Sequence, residues 1–163
     1  MTKELPNFVA RLLKQAGQKV VFAESCTGGL VSGELTKVPG ISEHHCGGVV
    51  TYRNATKAEY LGIPGKMLLD PGPVSREVAE QMARRVLAKT PEATVAVSVT
   101  GHLGPHAPPE LNGLVFIGIA RRVGRRCDVA VTELHCPRRA GRVARQRWVV
   151  QQALEILAEA LAR

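Results

Sequence analysis

Aromatic side chains are nearly missing from this sequence: one Trp, two Tyr and three Phe make up 4% of its 163 residues. Trp148 is therefore expected to anchor an amphipathic helix or a subunit contact, not to serve as a stacking platform for a nucleobase. Long apolar runs are missing too. Stretches such as Leu114–Ile117 fall far short of the roughly 20 residues a membrane-spanning helix needs. The opening residues Met1-Thr-Lys-Glu-Leu-Pro lack the basic-then-apolar order of a secretory signal, so a cytoplasmic protein with no membrane partner is expected. Cys26, Cys46, Cys127 and Cys136 show no CxxC spacing, which argues against a zinc ribbon or a disulfide framework and for reduced thiols. His44, His45 and Cys46, even joined by His102 and His106, match no ligand spacing, and no metal is expected.

What is present suits an ordinary globule, with 45% hydrophobic and 22% charged residues. At roughly 100–200 residues per domain, the chain is read as one domain, 1–163. Positive charge exceeds negative by eight, and the excess is regional: nine arginines between Arg121 and Arg147 face only Asp128 and Glu133 there. Such a stretch suits nucleic acid or a phosphorylated small molecule, or is simply a solvated basic face.

Hydrophobic periodicity predicts an opening amphipathic helix through Leu5, Phe8, Val9, Leu12, Leu13 and Ala16, ended near Gly17. A short buried strand follows over Lys19–Ala23, then a helix over Leu30–Lys37 closed by Val38-Pro-Gly, and a strand over Gly47–Tyr52. Asn54–Leu61 reads as a short helix capped by Asn54 and stopped by Gly62. Ser75 caps a long helix whose stripe is Val78, Ala79, Met82, Ala83, Val86 and Leu87. Thr94–Thr100 is a central strand, and Leu114–Arg121 and Cys127–His135 form a hairpin through Val123-Gly124. Val150, Leu154, Leu157 and Leu161 mark a last helix. This order predicts a three-layer α/β/α fold, helices on both faces of a mixed sheet that ends in an antiparallel hairpin.

Two segments could carry chemistry. In Ala23-Glu-Ser-Cys-Thr-Gly-Gly29, a strand leads through hydroxyls and glycines into a helix, a junction whose N–H groups can hold an anion or a developing oxyanion. Ser25 or Thr27 would equally serve as a helix cap there, and Gly28 and Gly29 as a turn. Cys26 is either a thiolate nucleophile or a small packed side chain. In the second segment, Tyr52 ends a strand and Lys57 lies one helical turn past Asn54. A lysine there is a solvated charge unless burial lowers its pKa far enough for it to act as a base.

Taken together, Glu24-Ser-Cys-Thr-Gly-Gly, Gly47-Gly-Val-Val-Thr-Tyr with Asn54 and Lys57, Leu61-Gly-Ile-Pro, Gly72-Pro-Val-Ser, and Val99-Thr-Gly with Gly104-Pro and Gly113-Leu-Val resemble the CinA C-terminal domain family. The five blocks occur in the family's order over nearly the whole chain. The resemblance implies a stand-alone, cofactor-free amidohydrolase of the nicotinamide mononucleotide deamidase kind. In it Ser25 would be the nucleophile, Lys57 its base, and Tyr52 a phenol that assists positioning or proton transfer. Backbone groups of Cys26, Thr27, Gly28 and Gly29 would stabilise the oxyanion, Asn54, Thr100 and Gly101 would contact substrate, and Arg142 would hold a phosphate, with Arg145 as a neighbour. The implied partner is a small phosphorylated nucleotide, and the implied assembly a homo-oligomer. Two departures stand out. Gly104-Pro-His-Ala-Pro-Pro-Glu-Leu-Asn112 replaces the family's glycine-rich run, and Gly141 stands where an acidic residue is usual. The alternative is a catalytically altered CinA-like module that binds a nucleotide or nucleic acid.

Overall fold

The structure is a computed structural model that describes residues 4–162; Met1–Lys3 and Arg163, part of the expected domain, lie outside the described residues. The chain opens with helix α1 (Glu4–Gln15) and continues through β1 (Val20–Glu24), α2 (Leu30–Leu35), β2 (His45–Val50), α3 (Asn54–Leu61), α4 (Gly65–Leu69) and α5 (Arg76–Lys89). It then forms β3 (Val95–Gly101), the hairpin β4 (Leu114–Val123) and β5 (Arg126–His135), and the closing helix α6 (Arg142–Leu161). The strands make one sheet in the order β2-β1-β3-β4-β5. β1 is parallel to both of its neighbours, while β3–β4 and β4–β5 are antiparallel, so the sheet is mixed and its last two strands are the hairpin.

Alternation along the central strands sorts the core into two layers. Val20 and Phe22 of β1, Val95, Val97 and Val99 of β3, and Val115, Ile117 and Ile119 of β4 pack with Val9 and Leu13 of α1, Val31 and Leu35 of α2, and Leu154 and Leu157 of α6. Val21, Ala23, Ala96 and Ala120 point the other way, against Val78, Met82, Ala83, Val86 and Leu87 of α5 and Leu61 and Leu68 of α3 and α4. The second face carries small residues because α5 lies close on it. A Cβ on Gly118 would sit 2.6 Å from Ser98 Oγ and 2.9 Å from the Ala79 carbonyl, and Ser98 Oγ donates to that same carbonyl at 2.6 Å.

Several local expectations need correction. β2 starts at His45, two residues earlier than expected, and stops at Val50, because the chain must leave the sheet to begin α3. The helix cap is Arg53, not Asn54. The Thr56 hydroxyl accepts the Arg53 N–H at 3.1 Å and donates to the Arg53 carbonyl at 2.8 Å, which makes Asn54 the first helical residue. α4 was unforeseen, since Gly65–Leu69 is too short for periodicity to register. Ser75 does cap α5, accepting the Val78 N–H at 3.3 Å, and Gly62 ends α3 in the left-handed region at φ 66°. No helix among the described residues is long and apolar enough to cross a membrane.

The contact between β1 and β2 leaves no room for a side chain at Gly48, whose Cβ would lie 2.6 Å from the Phe22 carbonyl oxygen and 2.9 Å from Phe22 Cβ. Gly48→Ala is expected to destabilise the protein by about 1–3 kcal/mol, the usual cost of overpacking. Urea titration checks this, and an unchanged midpoint would refute it.

Candidate active site

The carboxyl ends of the three parallel strands meet at one end of the sheet, the usual place for a ligand crevice in an open α/β sheet. Ser25 directly follows β1 and is held by its N–H, which donates to the Val99 carbonyl of β3 at 2.9 Å. Thr51 directly follows β2 and donates its N–H to the Glu24 carbonyl at 2.8 Å. The chain then turns into α3, whose first turn delivers Lys57 inward. Lys57 is only 1% exposed and Ser25 7%. Their side chains touch: Lys57 Nζ lies 3.0 Å from Ser25 Oγ and 2.8 Å from the Thr51 carbonyl oxygen.

Burial decides the charge state of this lysine. Desolvation lowers its pKa from the usual 10.5 to about 8, outweighing an opposing effect of Cys26. An uncharged amine has two N–H bonds and one lone pair. With one N–H given to the Thr51 carbonyl, the lone pair can accept the Ser25 hydroxyl proton. Cys26 is the opposite case. Burial pushes its thiol up to about 12, so it is a packed, protonated side chain and not a thiolate nucleophile.

The helix N-terminus after Ser25 is not the open anion site that the sequence suggested. Glu24, 1% exposed, folds its own carboxylate into it: Oε2 accepts the N–H groups of Gly29 at 3.0 Å and Val31 at 3.1 Å, and Oε1 accepts that of Ser32 at 2.8 Å. Gly28 donates to the Ser25 carbonyl at 3.0 Å and closes the turn. The backbone donors expected of Gly28 and Gly29 are therefore already used. The N–H groups of Cys26 and Thr27 make no hydrogen bond to another described residue, so of the four expected backbone donors only those two are unspent. Two buried hydroxyls in these segments, Thr27 Oγ1 and Thr51 Oγ1, also lack a partner among the described residues.

Ser25, Cys26, Lys57, Asn54, Tyr52, Thr100, Gly101 and Arg142 line one cavity of about 350 Å³, at the small end of the roughly 300–1,000 Å³ common for small-molecule sites. Its wall is completed by Pro73, Val74 and the segment His102–Gly104 with His106–Pro108. The lining includes Lys57, Arg142 and two histidines but no carboxylate, a polarity suited to an anionic ligand. Burial lowers the pKa of His102, which favours the uncharged ring. Tyr52 stands at the mouth, 56% exposed, and its hydroxyl accepts from Arg142 Nη2 at 2.7 Å, not from either member of the buried pair. Arg142 opens α6 and also donates through Nη1 to the Gly104 carbonyl at 2.8 Å. Thr100 donates to the Pro73 carbonyl at 2.8 Å, fixing the loop before α5, and a Cβ on Gly101 would lie 2.7 Å from Val115 Cγ2.

The arginine-rich stretch divides on folding. Arg121 donates to the Ala160 carbonyl, and Arg122 to the carbonyls of Leu87, Thr90 and Ala93, so both cap helix ends far from the cavity. Arg145 is buried and is not a phosphate neighbour: its guanidinium bonds Asn112 Oδ1 and the Arg138 and Pro137 carbonyls, tying the cavity loop to the strand–helix connection. His44 and His45 are committed within the fold, His44 Nδ1 to the Gln18 carbonyl and His45 to Ser32 Oγ and the Gly47 N–H. Sequence reasoning missed two residues at this end of the sheet. Glu24 carried a readable signal, an acid just ahead of a helix start. Gln146 carried none: it is 120 positions from Cys26, whose carbonyl its side-chain amide bonds at 3.1 Å.

The fold and the site thus define a mixed α/β protein with a buried serine–lysine pair in a cavity lined by Arg142 and by no carboxylate. The chain matches the CinA C-terminal domain family over residues 2–161, and it belongs to that family. It is 44% identical over 120 residues to a CinA-like protein of Geobacter metallireducens, a match covering 71% of this chain and 28% of that one. A CinA-like protein of Trichormus variabilis is 43% identical over 118 residues, with 71% and 28% covered. The match therefore spans less than a third of the length of these relatives. Among solved structures, a competence/damage inducible protein CihA from Agrobacterium tumefaciens superposes with a TM-score of 0.89 at 36% identity, covering 99% of this chain and 95% of that one. A CinA superfamily protein from Klebsiella pneumoniae gives a TM-score of 0.90 at 26% identity, covering 99% and 98%.

The Glu24 carboxylate, with three backbone donors and no solvent, should be hard to replace. Glu24→Gln puts an amide NH2 against N–H groups and removes the charge that strengthens those bonds. A loss of about 1.5–3 kcal/mol in chemical denaturation is expected; wild-type stability would show that the cap is dispensable.

Proposed function

We propose that this chain is an amidohydrolase that deamidates nicotinamide mononucleotide or a related pyridine nucleotide, giving the acid and ammonia through Ser25 and Lys57. The observation that carries this reading is the 3.0 Å contact between Ser25 Oγ and a buried lysine amine whose pKa is lowered to about 8. A serine hydroxyl is a poor nucleophile near neutral pH, and it is activated by a positioned base that is itself uncharged.

In the proposed reaction Ser25 Oγ attacks the carboxamide carbon while its proton passes to Lys57 Nζ. The carbonyl oxygen becomes an oxyanion facing the N–H groups of Cys26 and Thr27. Collapse of the tetrahedral species breaks the C–N bond, and Lys57 returns the proton to the departing nitrogen, releasing ammonia. Water, deprotonated by the again neutral Lys57, then cleaves the acyl ester, which frees Ser25 and leaves the nucleotide acid. Arg142 suits the substrate phosphate because its planar fork has donors to spare beyond Gly104 and Tyr52. Tyr52 in this reading steadies Arg142 instead of moving a proton.

Ammonia release from nicotinamide mononucleotide, with Ser25→Ala as the blank, tests the activity. Lys57→Ala is expected to lower turnover at least about 100-fold. Because the base works uncharged, activity should climb as pH rises and level off above about 8. Wild type no faster than the Ser25→Ala blank would overturn the proposal for this substrate, and a rate that falls across that range would overturn the role of Lys57. For the phosphate, Arg142→Ala should weaken binding of the phosphorylated ligand about tenfold or more beyond any loss for the corresponding nucleoside, measured by calorimetry. Equal losses for the two ligands would exclude the contact.

A further inference from the structure

The turn that carries the nucleophile is held from behind by one side chain on a distant helix. Gln146 Nε2 donates to the Cys26 carbonyl at 3.1 Å; its approach to the Thr27 carbonyl, at 3.5 Å, is too long for a second full bond. The Cys26 carbonyl and the Thr27 N–H belong to the same peptide unit. In a trans peptide these two groups point in opposite directions. Whatever fixes the carbonyl toward α6 therefore fixes the N–H away from α6. Cys26 lines the catalytic cavity, whereas Gln146 lines a separate hollow with Leu30, Val143 and Val150. The peptide plane thus turns its carbonyl toward Gln146 and its N–H away from it, next to Cys26 of the cavity lining.

We infer that Gln146 is a positioning residue that holds the Cys26–Thr27 peptide in the orientation that presents the Thr27 N–H to the developing oxyanion. This deepens the proposed amidohydrolase reading and rests on it. The rest of the turn cannot supply the same restraint. The Gly28 and Gly29 N–H groups are spent on the Ser25 carbonyl and the Glu24 carboxylate, and Leu30 donates to the Thr27 carbonyl, one peptide further on. No other described residue donates to the Cys26 carbonyl, and both glycines that follow have positive φ, so the backbone next to this peptide already adopts conformations open to glycine. Rotation of the unrestrained peptide by half a turn would aim a carbonyl oxygen at the oxyanion. Repulsion would then replace stabilisation, with the Ser25–Lys57 contact left in place.

The test uses a reagent that reports on Ser25 whichever amide the enzyme takes. A small alkyl fluorophosphonate forms a bond from Ser25 Oγ to phosphorus and loses fluoride as the P–F bond breaks. The hydroxyl proton goes to Lys57, and the phosphoryl oxygen needs the same N–H donors. Rates of labelling are compared in wild type, Gln146→Ala, Gln146→Glu, which keeps the shape but has no N–H to give, and Gln146→Lys, which keeps a donor of similar reach. The Ala and Glu variants are expected to label at least about tenfold more slowly, with wild-type melting curves, and the Lys variant to recover much of the rate. With nicotinamide mononucleotide, the same two variants should lose kcat and keep KM. Ala and Glu variants that label at the wild-type rate would overturn this role while leaving the dyad standing. Slow labelling only in variants that have lost the fold would reduce Gln146 to a structural part and overturn it as well. A wild type that does not label, or labels no faster than Ser25→Ala, would sink the dyad and this inference together.

Discussion

A lysine amine deprived of water is the constraint on which the site depends. In solvent Lys57 would be an ammonium with nothing to offer a hydroxyl; beneath the sheet end it has two polar neighbours, Ser25 Oγ and the Thr51 carbonyl, and no carboxylate of a described residue bonds it. A carboxylate in place of either would stabilise the charged form and raise the pKa again. The fold achieves this by register. Ser25 and Thr51 both continue their strands by one backbone bond, so the two segments that meet Lys57 are as rigid as the sheet. Gly48 lets those strands close up, because any Cβ there would strike the Phe22 backbone.

Glu24 solves the neighbouring problem. The turn after Ser25 leaves the N–H groups of a short helix facing inward, and buried donors without acceptors are costly. The Glu24 carboxylate takes three of them from within the protein, so this negative charge is held at the start of α2. The same arrangement explains why only the first two N–H groups after the serine remain for chemistry. A turn that looks like a generic anion cradle in sequence is a cradle already filled by Glu24.

The legible parts of the chain were those with local signals. Valine-rich strands, the stripe of α5, the Ser75 cap and the hairpin all follow from periodicity and turn chemistry over a few residues, and the family resemblance brought Ser25 and Lys57 together. Illegible were the features that depend on long-range closure. Nothing near Arg145 tells that it will be buried among the carbonyls of Pro137 and Arg138, nor that Arg121 and Arg122 will cap helices at the opposite end of the sheet. Net charge along a sequence says where arginines are; only the fold says which of them face a ligand. Of the nine, Arg142 reaches the cavity.

The departure at Gly104–Asn112 gains a physical meaning from that same geometry. Prolines at 105, 108 and 109 remove three backbone donors from the segment, Pro108 from the cavity wall itself, where glycines would leave N–H groups free. The segment is nonetheless fixed at both ends. At the loop base the His102 carbonyl accepts the Gly113 N–H and the His102 N–H donates to the Leu114 carbonyl, Arg142 holds the Gly104 carbonyl, and Arg145 holds Asn112. A wall so pinned offers a ligand side chains instead of backbone: the imidazoles of His102 and His106 and the guanidinium of Arg142. In the proposed enzyme, selectivity for an anionic substrate would therefore lie in side chains of defined length, not in a flexible nest of amides. In that proposed reading, such a wall would discriminate by where the negative charge sits relative to the scissile amide more than by its total.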